Sequence, residues 1–410
     1  MNKGLNTKHY ETLTIEVEKF IIRYYEKESV DNAQQIINDF KKNWVKVIKC
    51  GFDDTSNWFT RKDLDFPRGL SKYCFALIIL SDAYYNLPKA NKDGVKYLCN
   101  QINRIEKDLG YQLGTFQTLF YKLGLCWNKL GDEYDYKAIE AFKKYSYYTY
   151  MQYAPKKISN KAAYAFRKCN TYLYQSLIKE ELNLSSPTTF NDPFDCPIME
   201  LLNCDDKVSL LMRQAYKDCL KIACFIKKPY YIEQKSASEN SPNNKTKFSK
   251  RIPTNRLMWA HYADSHKGIC IKYNLEKLKK TTINKTKEYV SFYNDVKYSN
   301  NNINKCSEKD FINLKDAFFL KGKEWEYENE LRLLYYNLND NSEHRAICIP
   351  DCIEAIYFGL KCSEEDKKTI ATIIQDKETI HKNKIKLFEM VIDKDNFGQI
   401  KAVKYNPTKK

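Results

Sequence analysis

The sequence predicts an α+β protein in two parts, an all-helical part over residues 1–165 and a mixed part over residues 166–410. Three observations carry this. In the first part apolar residues recur at helical spacing. In the second, short apolar runs sit between turns, and strands and helices do not alternate regularly, which points away from a doubly wound sheet. Within it the segment KGKEWEYENELRLLYY, residues 321–336, sets Glu326, Glu328, Glu330 and Arg332 at every second position. Tyr327, Asn329, Leu331 and Leu333 lie between and after them. A period of two predicts a strand with all four charges on one face. Such a face is unfavourable unless it meets water or lines a cleft.

The helical part begins with residues 9–28, where Leu13, Val17, Phe20, Ile21 and Tyr24 keep helical spacing. Asp31 is placed to cap a second helix running to about Lys49. Residues 51–69 read as a loop, and two further helices are expected over 70–86 and 92–109. Residues 116–148 then read as helix, Gly-Asp turn, helix, with small Gly124 and Ala138 where the two would approach closely. Leu123, Gly124, Tyr134, Ala138, Ala141 and Phe142 make this unit resemble a tetratricopeptide repeat. The same pattern fits an ordinary antiparallel helical hairpin. Stacked helices of either kind suit a protein-binding scaffold, so a protein partner is expected here. In the mixed part, strands are expected over 171–177, 182–185, 219–226, 268–273, 289–298, 326–336, 345–349, 353–358 and 386–392. Helices are expected over 198–216, 256–263, 309–319 and 364–376. Residues 229–253 are polar, lack periodicity and read as a long loop.

The 410 residues suit two domains, and 43% hydrophobic residues suffice for their cores. No apolar run approaches the length of a membrane span, and no apolar stretch with a small-residue cleavage site opens the chain. A cytoplasmic protein without a membrane partner is expected. The 14 cysteines are scattered without a C-x-x-C pair, which argues against a zinc site and a disulfide framework, so no metal is expected. A net charge of +16 invites nucleic acid as a partner. The joint abundance of Lys, Asn, Ile and Tyr also fits an AT-rich coding sequence.

Five motifs stand in order along the mixed part. They are Leu173-Tyr174; Ser186-Pro187 with Phe190-Asn191-Asp192-Pro193-Phe194-Asp195; Met258-Trp259, His261-Tyr262-Ala263-Asp264, His266 and Gly268; Lys321, Trp325, Tyr327-Glu328, Glu330 and Arg332; and Tyr357-Phe358-Gly359. Together they resemble the bacterial family called domain of unknown function 2971, over roughly residues 170–400. Gln175 and Ser176 depart from the basic and aromatic residues expected after Leu173-Tyr174, and the loop over 229–253 is longer than usual. The family's pattern is in turn distantly similar to ADP-ribosyltransferases, which place a catalytic Glu on a late strand, often as Glu-x-Glu. Glu328-x-Glu330 occupies that place.

That resemblance implies NAD as a substrate, Glu330 as the catalytic carboxylate and Glu328 as its helper. It makes Tyr174, Asn191, His261, Tyr262 and Arg332 candidate ligand contacts. Cleaving the nicotinamide–ribose bond builds an oxocarbenium-like transition state, which a fixed carboxylate stabilises. A second carboxylate can orient or deprotonate the acceptor. Aromatic rings suit nicotinamide, and Arg332 or His261 suits phosphate. The acceptor would be nucleic acid or protein, in a toxin or phage-defence effector. Two other readings stay open. One is an NAD glycohydrolase. The other is a non-catalytic adaptor whose carboxylates stand on an open, solvated strand face.

Overall fold

A computed structural model describes residues 33–49, 66–109, 116–152, 160–192, 195–196, 206–227, 253–299, 318–340, 342–380, 384–396 and 398–406. The helix expected over 9–28, most of the loop over 51–69 and nearly all of the loop over 229–253 lie outside these residues, as do residues 309–317. The fold is α+β. Five helices come first: α1 (Ala33–Lys49), α2 (Phe66–Asn86), α3 (Lys92–Leu109), α4 (Phe116–Lys129) and α5 (Asp135–Met151). Helix α2 starts at Phe66, inside the expected loop. Helices α4 and α5 form the expected hairpin, turned at Gly131, whose φ of 112° is one that side-chain-bearing residues rarely adopt.

Thirteen strands stand in chain order among the described residues: β1 (Ala162–Arg167), β2 (Glu181–Ser185), β3 (Leu220–Ile226), β4 (Ile269–Asn274), β5 (Asn284–Lys285), β6 (Tyr289–Asp295), β7 (Lys297–Ser299), β8 (Leu320–Gly322), β9 (Glu330–Asn337), β10 (His344–Cys348), β11 (Ile353–Phe358), β12 (Lys386–Ile392) and β13 (Ile400–Lys404). Strands β7 and β8 form a separate parallel pair. The other eleven make one sheet in the order β13-β12-β11-β4-β1-β3-β9-β6-β5, with β2 joined to β3 and carrying β10. Neighbours are antiparallel except β11 and β12, which are linked by helix α10 (Glu364–Ile380). The remaining helices are α6 (Thr171–Lys179), α7 (Lys207–Cys219), α8 (Arg256–Tyr262) and α9 (Leu275–Thr282).

One expected strand is a helix. Residues 171–177 belong to α6, because Asn170 caps the segment by accepting from the Leu173 N–H, and Glu180 closes it in the left-handed region at φ 51°. Short apolar runs do not by themselves separate strand from helix. Another strand was not expected at all. β1 starts at Ala162, so the boundary anticipated at 165–166 runs through a strand at the centre of the sheet. Its Ala-Ala-Tyr-Ala-Phe-Arg sequence follows a Lys-rich stretch that reads as a linker.

The core explains why both faces of the sheet are apolar. On one side Leu334 and Tyr336 of β9 and Phe292 of β6 join a continuous cluster running from α1 to α5 and α7. Tyr150 of α5 stands 5.4 Å from the Tyr336 ring, and the Tyr336 hydroxyl donates to the Lys143 carbonyl. The helical part is therefore seated on the sheet. On the other side Leu331, Leu333 and Tyr335 pack with α9, α10 and Leu173 and Leu177 of α6. A third cluster sets Met258 and Trp259 of α8 on Tyr164 and Phe166 of β1. No helix among the described residues is long and apolar enough to cross a membrane.

Candidate functional site

The sheet parts between β1 and β3. The two strands pair at one position, Tyr164 with Ile226, while β3 turns to β2 at Ser185 and Ile222. A cleft of about 790 Å³ occupies this parting. Strands β1, β2 and β3 supply one part of its wall, α6 and α8 another, and Lys321, Trp325, Glu328 and Glu330 a third. A space of this size is typical of small-molecule sites.

Glu328 and Glu330 do not share a strand. Residues 323–328 form a 3₁₀ helix, Asn329 takes the left-handed region at φ 48°, and β9 begins only at Glu330. Glu326 is exposed on that helix. The turn at Asn329 nevertheless brings Glu328 and Glu330 to one charged cluster, and both line the cleft. The Lys321 ammonium joins them: it lies 2.7 Å from Glu328 Oε2, 3.6 Å from Glu330 Oε2 and 3.3 Å from Asp195 Oδ2. Its Nζ also sits 4.8 Å from the Trp325 ring centre.

Arg332 completes the cluster from below. Its Nε donates to Glu330 Oε1 at 2.8 Å and its Nη2 to Glu330 Oε2 at 3.0 Å. The same Nη2 donates to Asp195 Oδ1 at 2.6 Å, and Nη1 donates to the Phe318 carbonyl at 2.9 Å. The side chain is 0% exposed and does not line the cleft. Arg332 therefore holds Glu330 in place and does not reach a ligand, contrary to the expectation that it binds phosphate. Three carboxylates face two cations, so one negative charge is left in excess.

The environment separates the two glutamates. Burial pushes the Glu328 carboxyl above its usual value, and the nearby Lys321 charge only partly opposes this. Burial, the largest single influence, would also raise Glu330, but Arg332 together with Lys321 and the Cys224 hydrogen bond outweighs it and holds Glu330 below the usual range. Burial lowers the Lys321 ammonium less than the charges of Glu330, Asp195 and Glu328 raise it, so it stays protonated. The Tyr262 hydroxyl, pushed up by burial and by Glu328, donates to Glu328 Oε1 at 2.5 Å. The Glu330 amide donates to the Tyr298 hydroxyl at 2.8 Å. Cys224, on the cleft wall, has its thiol pushed up by burial and hydrogen-bonds Glu330.

Of the residues singled out in the sequence, Glu328, Glu330, Asn191, His261 and Tyr262 line this one cleft. Asn191 and His261 are exposed at its rim, and His261 stands edge-on to Trp325 with ring centres 6.5 Å apart. Tyr174 does not line the cleft. Its hydroxyl donates to Asp366 Oδ1 of α10 at 2.5 Å, on the other side of α6. Tyr172, Leu173, Ser176 and Leu177 face the cleft instead. In a strand Tyr172 and Tyr174 would share a face; in a helix, residues four apart do, which pairs Tyr172 with Ser176. The Tyr172 side chain is 76% exposed and free to meet a ligand. Lys321, Trp325 and Asp195 belong to the motifs read above, yet received no role from sequence. Lys321 and Trp325 stand just before the Glu-x-Glu pair, but Asp195 is distant in the chain, and the cluster becomes legible only when the three meet in space.

The second histidine, His266, is outside the cleft. It follows Asp264 and Ser265 in three successive left-handed residues (φ 46°, 53° and 72°) that turn α8 into β4. Its ring stacks on Trp259 at 6.3 Å, and burial with the charges of Lys361 and Arg256 lowers its pKa.

No curated protein and no solved structure matches the chain. The stretch from Met258 on α8 to Leu333 on β9 contains Tyr262, Lys321, Glu328, Glu330 and Arg332, the residues that build the charged end of the cleft. These residues, 258–333 in the C-terminal part, match the family described as protein of unknown function, DUF2971.

Proposed function

We propose that the chain is an NAD-dependent ADP-ribosyltransferase whose substrate lies in the cleft between β1 and β3. The observation that carries this reading is that two glutamates with opposite pKa displacements line one cleft beside aromatic side chains. The adaptor reading needs them on an open face. As nicotinamide leaves, positive charge develops at the ribose C1′ carbon. Glu330, kept anionic and immobile by Arg332, stabilises that charge. The acceptor oxygen or nitrogen forms the new bond to C1′ and passes its proton to Glu328. Tyr262 and Lys321 fix the Glu328 carboxylate for this step. Tyr172 and Trp325 offer ring faces to the bases, and His261, Arg167 and Lys168, which line the same cleft, are the side chains that would donate to phosphate.

The test is incubation of the full chain with NAD labelled in its adenylate part, together with separated RNA, DNA and protein. Label on a macromolecule supports transfer and identifies the acceptor class. Release of free ADP-ribose alone supports hydrolysis. Intact NAD with every acceptor would remove the enzyme reading. Glu330→Gln keeps the shape and removes the charge. Its turnover is expected to fall about 100- to 1,000-fold with an unchanged circular dichroism spectrum.

A further inference from the structure

We propose that Cys169, Cys362 and Asp366 form a binding site for a zinc-class divalent metal ion, separate from the cleft. Their ligand atoms all lie within 4.8 Å of one another. Three elements deliver them. Cys169 precedes α6, Cys362 sits in the turn after β11, and Asp366 is in the first turn of α10. Zinc with bonds of about 2.3 Å to sulfur and about 2.1 Å to oxygen sets tetrahedral neighbours roughly 3.6–3.8 Å apart. Closing from the observed spacing takes no more than about 1 Å per pair. The fourth position is left to water.

The backbone places these groups. The Gly359 amide donates to the Gly268 carbonyl at 2.9 Å, and the Lys361 amide to the His266 carbonyl at 3.0 Å. A Cβ on Gly359 would lie 2.1 Å from the His266 oxygen, so the approach needs glycine. The Cys362 amide is tied to the Gly359 carbonyl at 3.1 Å, and the Cys169 thiol lies 3.8 Å from the Lys267 carbonyl. Both cysteines are thus fixed to one tight junction. The Asp366 carboxylate is held at both oxygens, by the Tyr174 hydroxyl at 2.5 Å and the Ser363 hydroxyl at 2.6 Å. Hydroxyls that aim a carboxylate in this way are what metal ligands require. Metal ligation takes thiolates, so each thiol gives up its proton to water as the ion binds, and two thiolates with one carboxylate surround the cation. The ion would pin the start of α6 to α10. The opposite face of α6 lines the cleft.

The experiment uses the reduced, metal-stripped full chain titrated with Co²⁺ and then Zn²⁺. One equivalent of Co²⁺ is expected to bring thiolate-to-metal charge-transfer absorption, which Zn²⁺ abolishes. Affinity should fall on acidification, because protons compete with the metal for the ligand atoms. Cys169→Ser, at a half-exposed position, and Asp366→Asn should each weaken binding at least about tenfold while keeping the metal-free melting temperature. Absence of the charge-transfer band, or a band unchanged in both variants, would overturn the proposal. So would mild oxidation that yields a Cys169–Cys362 disulfide equally well with and without Zn²⁺, because the pair would then be a redox couple.

Discussion

Replacing Arg332 by Met keeps an unbranched apolar stem and removes the buried charge. In the native protein this guanidinium satisfies both oxygens of Glu330, one oxygen of Asp195 and the Phe318 carbonyl, at 2.6–3.0 Å. After substitution Lys321 is the remaining cation for three carboxylates, and the excess negative charge rises from one to two. Removing one partner of a buried pair leaves an uncompensated charge and typically costs about 3–5 kcal/mol. With a urea dependence on the order of 3 kcal/mol/M or more for a chain this long, the unfolding midpoint should fall by on the order of 1 M. Urea titration followed by circular dichroism reads this directly. The double variant Arg332→Met with Glu330→Gln removes one stranded charge and should recover at least about 1 kcal/mol. A midpoint unchanged in the single variant, with no recovery in the double, would show that Glu330 and Asp195 do not rely on Arg332. The role assigned to it here would then be wrong.

Four other outcomes are expected. Because burial raises Glu328, the acid limb of NAD turnover should lie above the usual glutamate range, and Glu328→Gln should abolish that limb; a limb at the ordinary carboxylate value would count against Glu328 as base. Linkage gives the two glutamates opposite signs. Stability from Glu330 is present above the unfolded glutamate value and is lost as pH falls through its depressed folded value. Glu328 favours the fold below its raised value and loses that contribution as pH rises through it, so stability curves of Glu328→Gln and Glu330→Gln should diverge in opposite directions. The fragment 166–410 should fail to fold alone, since it lacks most of β1 and exposes the sheet face that α5 covers; a cooperative melt of that fragment would contradict the shared core. Finally, Gly124→Ala should lower stability by about 1–3 kcal/mol, because the added Cβ lies 2.4 Å from the Phe142 ring that seals α4 to α5; thermal melting of the purified variant measures it.

Sequence alone determined the class of fold, the placing of the helical part before the sheet, and the segment that lines the charged end of the cleft. Helical spacing over 92–109 and 116–148 survives because long amphipathic patterns have one good solution. The pairing of Glu328 with Glu330 was legible because closely spaced carboxylates in an otherwise apolar segment demand a partner. Tertiary structure decided the rest. The strand-like run at 171–177 became a helix through one capping side chain, Asn170, and that change of period replaced Tyr174 by Tyr172 on the cleft wall. Arg332 reads locally as one more charge on a strand face. It is an internal counter-ion only because Asp195, far away in the chain, folds onto it. The alternation of β9 separates its two faces but does not say which elements cover them. That choice belongs to contacts between segments distant in sequence, and local periodicity carries no record of them.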